Sequence, residues 1–292
     1  MSIHKVLVTG ANGQLGWEIA QAANTFPEFE CVFVDRNAMD LSMPNELASI
    51  VELFAPSAII NTAAYTAVDK AETEKQLAHT INAEAVATLA GIAKSRNIPF
   101  ITYSTDYVFS GDATSPYLTD TLLAPVNYYG HTKAMGEEMA MEINPNTIIV
   151  RTSWVFSSHG NNFVKTMMRL MKERDQLNIV GDQRGRPTYA RDLALASLQI
   201  LKAINAGTSV KGIYHFANAG ETTWYEFAKK IQAITGITCE LHAIQTKDFP
   251  TPAKRPSYSV LDTSKIEKEL GITIPHWEIA LQNCYHQIIK AS

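Results

Sequence analysis

The sequence predicts an α/β fold, a Rossmann-type doubly wound parallel sheet followed by a smaller C-terminal substrate-binding region. Short β-rich runs alternate with longer helical stretches through the first half of the chain. A turn with spaced glycines separates the first strand from the first helix, and a tyrosine and a lysine four residues apart follow the fourth strand.

The elements follow one another as β-then-α units. Val6–Thr9 precedes Gln14–Ala23, Val32–Asp35 precedes Asn45–Phe54, Ala58–Thr62 precedes Thr73–Ser95, and Phe100–Ser104 precedes Tyr129–Met141, with a strand at Thr147–Thr152 next. Units of this kind imply a parallel sheet with helices on both faces. Ligands then collect outside the carboxyl ends of the strands, near the point where strand order reverses. From Trp154 onward the pattern loosens into helices at Asn162–Glu173, Arg191–Ala203 and Trp224–Ile234, with polar loops such as Gly181–Pro187 between them. The proline-rich turn Phe249–Ser257 precedes a last helical region around Glu278–Ile289. The expected division is a dinucleotide-binding domain over residues 1–153 and a mainly substrate-binding region over 154–292, with return segments to the first sheet allowed. The charged run Lys70–Lys75 reads as the solvated start of a helix.

Composition narrows the function classes. With 292 residues, 46% hydrophobic and 18% charged, the chain has the make-up of an enzyme-sized globule, not of a disordered or fibrous protein. A net charge of −4 with scattered Lys and Arg gives no attraction for a phosphate backbone, so nucleic acid is not an expected partner. Cys31, Cys239 and Cys284 are odd in number and form no CxxC pattern, which argues against a disulfide framework or a zinc site and for a reducing, cytoplasmic setting. No signal core and no run of about 18 apolar residues is present, so neither export nor a membrane is expected.

Lys5–Gly16 reads KVLVTGANGQLG, with glycines at Gly10, Gly13 and Gly16. Glycine permits the sharp turn, close approach of a pyrophosphate and tight helix packing, while the free N–H groups at the helix start hold phosphate. The position between strand and helix is the context a dinucleotide motif requires. Gly10, Asn12, Gly13, Gln14, Leu15 and Gly16 are therefore assigned to the cofactor. Asp35 ends the second strand where an acid binds ribose hydroxyls, favouring NADH, but Arg36 beside it can pair with a 2′-phosphate, favouring NADPH. Asp40 and Leu41 either clasp the adenine or form a capping turn. Ala63, Ala64 and Tyr65 leave room for the dinucleotide at the end of the third strand, a place where small residues also serve helix packing.

Tyr129 and Lys133 share a helix face one turn apart. Ketone reduction leaves an alkoxide that needs a proton, and a phenol of ordinary pKa about 10 is a poor acid near neutrality. An adjacent ammonium is expected to lower it, and the same lysine can bind the nicotinamide ribose. Thr105, just past the fourth strand, is placed to hydrogen-bond the carbonyl, or else is an ordinary cap.

These blocks together resemble the extended short-chain dehydrogenase/reductase superfamily and, within it, the dTDP-4-dehydrorhamnose reductase family. The likeness runs nearly end to end, through AYTAVDKAE at 64–72, STDYVF at 104–109, YGHTK at 129–133, RTSWV at 151–155, DQRGRPT at 182–188 and RPSYSVLD at 255–262. The resemblance implies NAD(P)H-dependent reduction of a sugar nucleotide, dTDP-4-dehydro-L-rhamnose, with Thr105, Tyr129 and Lys133 catalytic. Val68, Asp69, Asp106 and Trp154 would join Thr105 and Tyr129 around the substrate, and Arg255 would meet its diphosphate. Some family members are magnesium-bridged dimers. The first of their metal-binding glutamates matches Glu18, but Arg191 stands where a second would be, so no metal is expected and a monomer or homodimer stays open. A dehydratase would need a second carboxylate after Thr105, where Tyr107 follows Asp106. An epimerase could use the same Tyr129 and Lys133, and a non-catalytic NADP-binding regulator would have no need of the full set.

Overall fold

The structure is a computed structural model that describes residues 3–291. Its centre is a six-stranded sheet built from β1 (Lys5–Thr9), β2 (Glu30–Val34), β3 (Ala58–Asn61), β4 (Phe100–Thr105), β5 (Ile148–Thr152) and β6 (Gly212–His215). The spatial order is β2-β1-β3-β4-β5-β6, and every neighbouring pair is parallel. This differs from the 3-2-1-4-5-6 order most often associated with dinucleotide folds, because β2 is the outer strand. The reversal still falls between β1 and β3, where a parallel sheet opens a crevice at its carboxyl edge.

Alternation along the strands explains why both faces are covered. Val6, Val8, Ala58 and Ile60 point to one side, where they pack with Ile19, Leu193 and Leu198 of the long helices α1 (Gln14–Ala23) and α5 (Ala190–Asn205). Leu7 and Ile59 point to the other side, against Leu47 and Val51 of helix Leu47–Phe54 and Val86 and Leu89 of α2 (Ala85–Arg96). A sheet buried on both faces reads as continuous β-branched runs.

The expected single helix over Thr73–Ser95 is instead three pieces: Lys75–His79, a wide π turn at Thr80–Glu84, and α2. The π turn carries Asn82, which is buried and satisfies both backbone polar groups of Tyr65, at 2.9 Å and 3.0 Å, while donating to Thr132 Oγ1 at 3.1 Å. One inserted residue thus ties the end of β3 to α3 (Tyr128–Ile143). The Lys70–Lys75 run is also not one helix start, since a turn separates Val68–Ala71 from Lys75–His79.

Residues beyond 153 contribute to two cores. α5, β6 and Ile266 belong to the central layers. A separate core gathers Val164 and Met167 of α4 (Phe163–Glu173), Phe227 and Ile231 of α6 (Trp224–Thr235), and Trp277 and Leu281 of α7 (Trp277–Ala291), beside the parallel pair Gln176–Val180 and Glu240–Ile244. Among the described residues no helix is long and apolar enough to cross a membrane.

Candidate active site

At the end of β1 the chain turns through Gly10 at φ +71°, where a Cβ would stand 2.7 Å from Thr62 Oγ1 and 2.8 Å from the Ala63 nitrogen. Only glycine fits there. Gly13 precedes α1 and no side chain caps that helix, which leaves the first-turn N–H groups to an anion. Gly16 brings the helix onto the turn, since a Cβ on it would lie 2.3 Å from the Gly10 carbonyl oxygen. The result is a cleft of about 690 Å³ outside the carboxyl ends of β1 and β3, with the shape and donors that a dinucleotide fits. Every cofactor position named from the sequence lines it except Gly16, which lies behind the turn as its packing element.

Asp35 accepts from the N–H groups of Asn37 and Ala38, at 3.0 and 3.2 Å, and from the Asn12 amide at 3.3 Å. Arg36 reaches Asp40 Oδ2 at 3.2 Å with most of its guanidinium exposed on the cleft rim. Asp40 also accepts the Ser42 N–H at 2.9 Å, so it forms the capping turn and faces the cleft at once.

Asn127 caps α3 by accepting the Gly130 N–H at 2.8 Å, which sets Tyr129 and Lys133 on the face that closes the cleft. Gly130 lets the first turn of α3 press on the Tyr107 carbonyl, where a Cβ would come within 2.1 Å. Thr105 ends β4 beneath this contact. Its hydroxyl accepts the Tyr107 N–H at 3.2 Å and donates to Asp106 Oδ1 at 3.0 Å. The cap reading is the one its hydrogen bonds show, and Thr105 is buried without lining the cleft.

Burial pushes the Tyr129 phenol up to about 12, with Thr105 pulling it down and Asp106 pushing it up. The lowering expected from Lys133 is thus not what the site gives. Lys133 donates instead to the Tyr103 carbonyl at 2.7 Å, and burial, opposed by the Glu137 carboxylate, brings its own pKa down to about 8. Burial likewise raises Asp106 to about 7, against the Ser259 and Thr105 hydroxyls.

A second, more apolar cleft of about 710 Å³ adjoins the first, lined by Asp69, Tyr107, Phe163, Trp224, Phe249 and Arg255 among others. Tyr107 and Tyr129 meet edge to face at 6.0 Å, so the phenol stands where the two clefts join. Asp69 and Arg255 pair at 2.9 Å, linking the short helix Val68–Ala71 to the 250s segment, and the Ala253 N–H and the Arg255 guanidinium hold the Asp69 carboxyl low against its partial desolvation. Of the expected substrate residues, Val68, Thr105, Asp106 and Trp154 line neither cleft. Trp154 adopts a left-handed backbone, φ +48°, and stacks on Trp224 at 3.6 Å, so Trp224 is the indole that faces the cavity.

With this geometry in hand, the family model described as the RmlD substrate binding domain matches residues 4–289. The chain belongs to this family. It is similar to a dTDP-4-dehydrorhamnose reductase of Burkholderia thailandensis, 40% identical with 98% of this chain and 99% of the relative covered, and to one of Aggregatibacter actinomycetemcomitans, 42% identical with 96% and 97% covered. A solved dTDP-4-dehydrorhamnose reductase from Bacillus anthracis, in complex with NADP, superposes with a TM-score of 0.92 at 36% identity, over 98% of this chain and all of that one.

The magnesium bridge of some RmlD-family members does not fit the residues here. Glu18 is buried, receives the Ser157 hydroxyl at 2.6 Å, and has the Arg191 guanidinium 3.8 Å from its other oxygen. A cation side chain already balances the carboxylate.

Several site residues were not named from the sequence. Trp224 and Phe163 wall the second cleft, and Ser157–Asn162 folds over the nucleotide turn, with His159 against the Asn12 carbonyl at 3.1 Å and Asn162 on Gln14 at 3.0 Å. The aromatic run Trp224-Tyr225-Glu226-Phe227 and the cap-like Asn162 were the available signals.

Proposed function

We propose that the chain reduces the C4 ketone of dTDP-4-dehydro-L-rhamnose to dTDP-L-rhamnose with NADPH, Tyr129 giving the proton. The observation that carries this reading is the position of Tyr129 at the junction of a dinucleotide cleft and an apolar cleft, in a chain of the RmlD family. When bound, the nicotinamide supplies the hydride. Gly10, Gly13 and the start of α1 hold the pyrophosphate, and Lys133 the nicotinamide ribose. Arg36 on the rim suits a 2′-phosphate, which favours NADPH, with NADH as a slower donor. Thr105 orients the ketone and Tyr129 protonates the oxygen that becomes the alcohol. The second core, with Trp224 and Phe163, and the Asp69–Arg255 pair receive the sugar nucleotide.

Mixing the protein, NADPH and the keto-sugar nucleotide should remove absorbance at 340 nm. An unchanged signal with either nicotinamide would sink the reading.

A further inference from the structure

The Ser104 hydroxyl is one of three buried side-chain polar atoms without a hydrogen-bond partner among the described residues, the others being Asp106 Oδ2 and Arg186 Nε. Of these three residues only Ser104 lines either cleft, and it lines the dinucleotide cleft together with Tyr129 and Lys133. Ser104 is 5% exposed, and a buried hydroxyl left unmatched costs free energy until something pairs with it.

Alternation along β4 sets its direction. Ile101 and Tyr103 pack on the side of α1 and α5, where the Tyr103 phenol donates to Ser197 Oγ at 2.6 Å. Phe100 packs on the other side with Ala140 of α3, so Ser104 lies on the face that α3 covers. Lys133 comes down from α3 to the same place. Its ammonium donates at 2.7 Å to the Tyr103 carbonyl, the group bonded to the Ser104 nitrogen, and leaves the hydroxyl unmet. The place also fits one half of a dinucleotide. Asp35 and Arg36 follow β2, and in the order β2-β1-β3-β4 three strand spacings, roughly 14 Å, lie between them and the end of β4. A cofactor whose adenosine half rests on Asp35 and Arg36 brings its nicotinamide half to Ser104.

We propose that Ser104 binds the nicotinamide ribose, its hydroxyl pairing with one hydroxyl of the diol that Lys133 holds; this rests on the NADPH reading above. A ribose hydroxyl both gives and takes a hydrogen bond, so it satisfies the serine whichever way the serine proton points.

The test follows the binding of two probes to the wild type and Ser104→Ala: NADPH, by nicotinamide fluorescence, and adenosine 2′,5′-bisphosphate, which has no nicotinamide ribose, by calorimetry. Both proteins are also melted without nucleotide. Ser104→Ala should weaken NADPH by about 3- to 10-fold, the worth of one hydrogen bond, and leave the bisphosphate unchanged. Without nucleotide it should melt no lower than the wild type, because an unpartnered hydroxyl has no bond to lose. A loss of NADPH affinity below about threefold overturns the proposal, as does an equal weakening of both probes. A nucleotide-free variant that melts about 3 °C or more below the wild type, or does not fold, also overturns it, since the hydroxyl would then be bonded within the protein. Wild-type protein that does not bind NADPH would instead overturn the cofactor reading.

Discussion

Burial raises both the Tyr129 phenol and the Asp106 carboxyl above their ordinary values. A phenol near 12 keeps its proton until an alkoxide forms beside it, which suits a group that acts only at the end of hydride transfer. Tyr129→Phe should lower kcat by on the order of 100- to 10,000-fold and leave NADPH affinity within about a factor of three, as measured by steady-state kinetics and fluorescence titration. Asp106 has a folded pKa near 7 against an ordinary 3.8. Its contribution to stability is complete below the ordinary value and is lost as pH rises through the folded one. Asp106→Asn should therefore melt above the wild type near pH 8 and gain much less near pH 5. Equal gains at both would show that the carboxyl is not ionising in place.

Helix α3, which carries Tyr129 and Lys133, is held from below by a buried ion pair. Arg151 of β5 meets Glu137 of α3 at 2.6 Å, donates to the Thr119 carbonyl at 3.1 Å and stacks over Phe109 at 5.1 Å. His215 of β6 faces the same guanidinium at 3.3 Å and is held uncharged, its pKa brought to about 3 by burial and Arg151. Removing one partner of such a pair leaves the other charge buried. Arg151→Met should cost about 3–5 kcal/mol in urea unfolding, whereas replacing Arg151 and Glu137 together by apolar residues should cost far less. Glu137 lies one turn beyond Lys133 and opposes the loss of its charge, so the same pair supports the ammonium at the cleft. At this scale the sheet and the nucleotide turn were legible because their signals are local: short β-rich runs alternating with longer helical stretches, and glycines at fixed spacing before α1. The π turn was not. It is dictated by Asn82 meeting Tyr65 and Thr132, partners 17 and 50 residues away, and no local periodicity records that.

Across the whole molecule, the second half of the chain completes what the first half begins. Ser157, His159 and Asn162 bind Glu18, Asn12 and Gln14, and Arg255 binds Asp69 from 186 residues away. Such pairings explain why Thr105, Tyr129 and Lys133 could be named from sequence whereas Trp224 could not: the former lie on motif-bearing strand and helix ends, the latter is aimed by the packing of α4 and α6. They also give Glu18 an internal counter-ion in Arg191. EDTA should leave NADPH turnover unchanged, and a loss restored by added magnesium would contradict that pairing. The central claim is net hydride delivery to a ketone at the junction of the two clefts. Its most direct test is turnover of dTDP-4-dehydro-L-rhamnose with NADPH deuterated on the transferred face of nicotinamide C4, with product and spent cofactor counted by NMR. The account predicts one deuterium at sugar C4 for each NADPH oxidised; unlabelled product, or product formed without net cofactor oxidation, would contradict it.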